Sequence, residues 1–317
     1  MGATKPNVAA LVEQMPETDN DIKAKQEEAK TQAQPDQPDS PDKPKAQPAR
    51  RGAASKFTGP DPGAAEKVFV EILSGGRESI TELLGLVREP SDPDYRDYKA
   101  SYVLHGLVIL TGRAGQERRR RVLADTLASQ LGSDRHSKAV KAVFVRELRT
   151  LGGKESVSVL GKYLLDDELC SDVALALLTI RDGAASQFRS ALAKSKGRNR
   201  VTIIHALGTL QDTDSATALK KALSEPDREV GRTAAWALAN IGDASATDAL
   251  LKSAESAEGW ERTEATRHCL LLAERLAATG KQSQAGRIYT HLLATRKDPS
   301  ERHIREIAEK ALGIGRP

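Results

Sequence analysis

Four segments of the chain can be set beneath one another: "ELRTLGGKESVSVLGKYL", "ALLTIRDGAASQFRSAL", "ALGTLQDTDSATALKKAL" and "ALANIGDASATDALLKSA". Their anchor residues Leu151, Ile180, Leu210 and Ile241 lie 29, 30 and 31 positions apart. After each anchor comes a short polar turn, then an apolar-periodic run of about 11 residues, a second turn, and a second run that ends at the next anchor. A repeat of this length with two helical runs per unit constrains the fold more than any other feature. One unit cannot bury its apolar face alone, whereas a stack of units buries a continuous core.

The unit is legible residue by residue in "SEPDREVGRTAAWALANIGD", Ser224 to Asp243. Val230, Ala234, Ala237, Leu238 and Ile241 recur at i, i+4, i+7, i+8 and i+11, one apolar stripe of a helix whose alanines permit close approach. Pro226 and Asp227 suit the start, where the first amides lack partners and the helix end is positive. Gly242 suits the stop. Walking outward predicts helices near 64–74, 77–89, 95–112, 116–132, 136–151, 154–165, 168–180, 184–195, 199–210, 215–224, 227–241, 245–254, 259–279, 282–295 and 300–312. No run alternates as a strand would, and aromatics are only 3%. The expected fold is therefore all-α, a right-handed solenoid of about seven helix pairs with an unpaired helix in front.

Residues 1–62 differ in kind. Nine of the 14 prolines fall there, among Gln, Asp and Lys, as in "KTQAQPDQPDSPDKPKAQPARRG". Such a composition buries too little apolar surface to offset its ordering entropy, so a disordered tail is expected, with the folded body starting at 63 and surviving removal of the tail. Within the tail, "VAALVEQM" (Val8 to Met15) reads as a transient helix or a docking peptide, too short to be stable alone. The tail carries 9 Lys and Arg against 10 Asp and Glu, and the body 39 against 34, giving −1 and +5. That excess falls short of the basic stripe of a nucleic-acid binder. No apolar run approaches the ~20 residues of a membrane span, and the N-terminus lacks the apolar core of a secretory signal. "MGATKP" fails as a myristoylation site because position 6 is Pro. A soluble, cytoplasmic monomer is expected, exported if a signal once preceded this sequence.

"EPDREVGRTAAWALANIGD" resembles the second helix and following turn of bacterial HEAT repeats, of the type also found in phycobilisome lyases, over roughly Glu117 to Asp248. It departs at Gly231, where that family usually has Arg; Arg232 is retained. Near the C-terminus, "LLLAERLAATGKQSQAGRIYTHLL" partly resembles a tetratricopeptide unit through Leu272, Ala273, Leu276, Gly280, Ala285 and Tyr289, with Pro299 two positions beyond the family proline. Residues 259–317 are accordingly expected to cap the array. The resemblance further implies that second helices line a concave face.

Candidate sites follow from this frame. Some HEAT-like proteins are iron hydroxylases that draw ligands from His-Glu dipeptides, yet none of the six histidines (105, 136, 205, 268, 291, 303) is followed by Glu. No metal and no cofactor are expected. Cys170 and Cys269, 99 positions apart in apolar helical patterns, read as small buried hydrophobes. Asp182, Asp212 and Asp243 each sit two residues after an anchor, a regularity that predicts helix capping. Two basic clusters, "ERRRR" (Glu117 to Arg121) and "KSKGRNR" (Lys194 to Arg200), lack interleaved aromatics for base stacking. Tyr95, Tyr98, Tyr102 and His105 share one helical face, a packing surface or a secondary recognition patch.

Two rows on the second helices are the main candidates for contacting a partner. One precedes each anchor: Thr150, Thr179, Thr209 and Asn240. The other stands five residues before it: Arg146, Leu175, His205 and Trp236. Thr and Asn suit the backbone of an extended peptide, and Trp suits a binding hot spot. The expected function is a non-enzymatic scaffold for a protein or peptide. The alternatives are a lyase or chaperone acting on a tetrapyrrole, as the resemblance implies, and a polyanion- or DNA-binding solenoid.

Overall fold

The computed structural model describes residues 5–15, 62–89 and 98–314. Sixteen α-helices and no strands occur among the described residues. In chain order they are α1 (Val8–Glu13), α2 (Pro62–Ser74), α3 (Gly76–Leu86), α4 (Lys99–Thr111), α5 (Glu117–Gln130), α6 (Lys138–Leu151), α7 (Lys154–Gly161), α8 (Cys170–Ile180), α9 (Ala184–Leu192), α10 (Gly197–Thr209), α11 (Ala216–Ala222), α12 (Arg228–Ile241), α13 (Thr247–Ser256), α14 (Gly259–Ala278), α15 (Gln282–Thr295) and α16 (Arg302–Leu312). The chain divides into two compact units, residues 1–147 and 148–317.

The second unit is built from the expected pairs. First helices pair with second helices as α7 with α8, α9 with α10, α11 with α12, α13 with α14 and α15 with α16, while α8, α10, α12 and α14 also pack on one another in sequence. Local chemistry explains the punctuation. Asp227 caps α12 by accepting hydrogen bonds from the amides of Glu229 (2.9 Å) and Val230 (3.4 Å). Gly242 ends it in the left-handed region at φ 76°, where its amide bonds Ala239 O and the Asp243 amide bonds Leu238 O. Val230, Ala234, Ala237 and Leu238 are all buried, as the stripe predicts. At Gly208 the α10 and α12 backbones come so close that a Cβ would sit 2.7 Å from Trp236 Cζ3 and 2.8 Å from Ala237 Cα.

The capping regularity holds only in part. Asp243 accepts from the Ser245 amide at 3.0 Å, but Asp212 makes no cap and pairs instead with Arg189; Asp182 makes none either, and Gly183 (φ 76°) opens the helix there. Arg189 reaches Asp212 from the preceding repeat, so tertiary pairing takes the carboxylate away from the turn. At the C-terminal end Arg296 is buried, donating to Ala254 O (3.0 Å) and Thr266 Oγ1 (3.1 Å). It thereby satisfies a carbonyl at the end of α13.

In the first unit α2 packs on α3 and α4, and α3 packs on α5. The segment Val8 to Met15, expected as a transient helix or a docking peptide, carries the helix α1. Residues 8–15 are not free: α1 lies against α2, α3 and α4, and Val8, Leu11, Val12 and Met15 are all buried. A helix of six residues is not stable alone, so the docked apolar face is what holds it. Residues 16–61 lie outside the described residues.

Candidate functional site

The second-helix rows of the second unit are where side chains of varied chemistry meet at regular spacing. Thr150, Thr179 and Thr209 are exposed. The hydroxyls of Thr179 and Thr209 donate back to Leu175 O and His205 O, both at 2.9 Å, within their own helices. Their donors are spent, and only the oxygen lone pairs face outward. Asn240 is occupied on both sides: its amide donates to Gly208 O at 2.9 Å, and its carbonyl accepts from Arg275 Nη2 at 2.7 Å. Gln211 adds a bond to Asn240 O at 3.0 Å. Asn240 thus ties α10, α12 and α14 together.

The row five residues before the anchors is more open. Leu175 on α8 is 48% exposed, an uncommon state for leucine in a helix pair. His205 on α10 and Trp236 on α12 stack face to face, with ring centroids 4.4 Å apart and planes 5° off parallel. Partial burial by that stack lowers the pKa of His205, keeping the imidazole neutral near pH 7. Neutral His on Trp makes a flat aromatic plate that offers an apolar face and one polar edge. Arg146 is exposed in the first unit.

Tyr95 lies outside the described residues. Tyr98 and Tyr102 are half-buried and meet edge to face at 6.3 Å, and Tyr102 leans on Phe69 at the same separation. With His105, Gly106 and Ile109, Phe69 and Tyr102 line a cleft of about 270 Å³ between α2 and α4. His105 Nδ1 lies 3.2 Å from Glu147.

A second groove, of about 680 Å³, runs between α12 and α14. Gly231, the position where Arg was absent, lines it without filling it. Arg232 pairs with Glu264 (3.3 Å) and stacks on Trp260, its guanidinium carbon 4.9 Å from the ring centroid; Arg228 pairs with Glu261 at 3.5 Å. These inter-repeat pairs leave the groove lined by both signs of charge. Trp260, 60% exposed, was not among the sequence candidates; its place at the start of a helix, outside the apolar stripe, was the available signal. The second basic cluster is partly absorbed as well. Arg200 donates to Glu225 and to Leu192 O, whereas Lys194, Lys196 and Arg198 are exposed. Among the described residues no cluster of three His, Cys, Asp or Glu side chains could hold a metal ion, and no helix is long and apolar enough to cross a membrane.

Stacked helix pairs with second helices packed in series define an α-solenoid. Residues 185–270 match the family described as HEAT repeats. No curated protein matches the chain. Among solved structures it is similar to the complex of CpcE and CpcF of phycocyanin lyase from Nostoc sp. PCC7120, at 16% identity over 86% of this chain and 100% of that one, with a TM-score of 0.38. It is also similar to human deoxyhypusine hydroxylase in complex with glycerol, at 18% identity over 80% and 99% of the two chains, with a TM-score of 0.29.

Proposed function

We propose that this chain is a protein-binding scaffold that engages its partner through the second-helix layer of residues 148–317. The observation that carries this is the ridge of Leu175, His205 and Trp236: an exposed leucine followed by a flat aromatic pair on successive second helices. Arrays of this kind present such layers as extended faces, and aromatic anchors beside apolar groups are favoured centres of binding energy. The Thr179 and Thr209 oxygens border the ridge as acceptors, while Asn240 serves the stack itself.

The test is partner capture by immobilised full-length protein, with bound proteins identified by mass spectrometry. Leu175→Asp and Thr209→Arg alter exposed side chains, and surface changes of this sort usually shift stability by about 0.5 kcal/mol or less. Together they should remove the partner while the melting temperature stays near that of the wild type. Undiminished capture by the double variant would sink the assignment. A visible absorbance band acquired on incubation with an open-chain tetrapyrrole would favour the lyase or chaperone alternative instead.

A further inference from the structure

The docked N-terminal segment points to a second recognition site, in the first unit and independent of the ridge. Val8, Leu11, Val12 and Met15 stand at i, i+3, i+4 and i+7, a single stripe, and each is 5% exposed or less. Asn7 caps the helix by accepting from the Ala10 amide at 3.1 Å. The other end is read by Lys99 on α4, whose Nζ lies 2.7 Å from the Glu13 carboxylate and 3.5 Å from the Glu13 carbonyl oxygen. Its side chain is only 12% exposed, whereas the Lys5 pairs with Glu82 and Glu78, at 3.4 and 3.8 Å, are solvated and add little. Apolar stripe, acidic end and cation at the carbonyl end are the elements by which a groove recognises an amphipathic helix.

In the sequence α1 is separated from α2 by residues 16–61, 46 positions, so the two helices are not neighbours along the chain. We propose that the groove of α2, α3 and α4 is a binding site for a short amphipathic helix of a protein partner. Residues 5–15 occupy it as a tethered competitor, and a helix with apolar residues at i, i+3, i+4 and i+7 and a carboxylate at i+5 displaces them.

The experiment uses the full chain, a fluorescently labelled peptide of residues 5–15, and fluorescence anisotropy. Leu11→Asp in the chain disables the tethered copy and frees the groove, so this variant should bind the wild-type peptide at least tenfold more tightly than the wild-type chain does. A peptide that keeps Val8, Leu11, Val12, Glu13 and Met15 but changes the intervening residues should compete; the same peptide with Glu13→Lys should compete poorly. A folded Leu11→Asp chain that ignores the peptide, or equal affinity of the two chains, overturns the proposal. Should Leu11→Asp lose helical circular dichroism, a protease site inserted between residues 16 and 61 allows the linker to be cut after folding. The released segment should then exchange with excess labelled peptide; a segment that never exchanges is a fixed part of the core and refutes displacement. A wild-type chain that elutes as a dimer and becomes a monomer on Leu11→Asp would assign the groove to a second copy rather than a partner.

Discussion

Gly208→Ala should destabilise the second unit, against the usual sign for this change in a helix. Replacing an interior helical glycine by alanine normally stabilises by roughly 0.5–1 kcal/mol, through the backbone entropy glycine loses on folding. At Gly208, however, the new methyl would stand 2.7 Å from Trp236 Cζ3 and 2.8 Å from both Cα and Cβ of Ala237. A side-chain tip can swing aside, but an α-carbon moves only with its helix, so α10 and α12 must part. Overpacking costs about 1–3 kcal/mol, and a backbone neighbour places this case near the top of that range. Subtracting the propensity gain leaves a net loss of about 1.5–2.5 kcal/mol, or a melting temperature lower by roughly 3–10 °C at 2–4 °C per kcal/mol for a unit of this size. Gly85→Ala is the control, because that glycine is exposed, near the end of α3, and a Cβ there meets nothing within 4 Å. It should be neutral or raise the melting temperature of the first unit. Thermal unfolding by circular dichroism measures both, and tryptophan fluorescence reports whether the His205 and Trp236 plate is disturbed. A Gly208→Ala protein as stable as the wild type, with unchanged fluorescence, would refute the close approach of α10 and α12.

Two further outcomes follow from titratable groups that are wholly or partly shielded from solvent. Burial raises the thiol pKa to about 11 at Cys170 and about 12 at Cys269, so at pH 8 the reactive thiolate is on the order of one part in a thousand or less; native protein should resist a thiol-specific reagent and yield two equivalents once unfolded. Rapid labelling of either cysteine in the native state contradicts this. Burial also holds the imidazoles of His136, His205 and His268 below their ordinary range; at His268 Arg232 reinforces this and Glu264 opposes it. The unfolded chain therefore takes up protons first, near pH 6.5, and stability that is complete above that pH is lost as the pH falls through and below it. The melting temperature should be lower at pH 5.5 than at pH 7.5, and His268→Gln should shrink the difference; a rise on acidification would reverse the sign of the reasoning.

The sequence by itself determined the architecture of the repeats. Its apolar spacing and its punctuation are local: hydrogen bonds four residues apart, a side-chain cap at Asp227, a left-handed stop at Gly242. Hence 227–241 was expected and Arg228–Ile241 formed, and 282–295 was matched by Gln282–Thr295. The same logic overran α7, which stops at Gly161 because the residues after it continue as turns rather than as a helix. What only the tertiary structure decided is which groups meet across helices. Asp212 looks like Asp243 in sequence, yet Arg189 draws it into an ion pair, and Asn240 looks like the threonines of its row, yet it joins three helices. Arg296 stands in a charged stretch and is nonetheless buried, because a carbonyl of α13 lies within its reach. His205 becomes a plate on Trp236, and Val8 to Met15 becomes a docked helix. Each depends on the offset and spacing of neighbouring helices, to which a period of 3.6 residues is indifferent: it says which face is buried, and the packing of whole helices says against what.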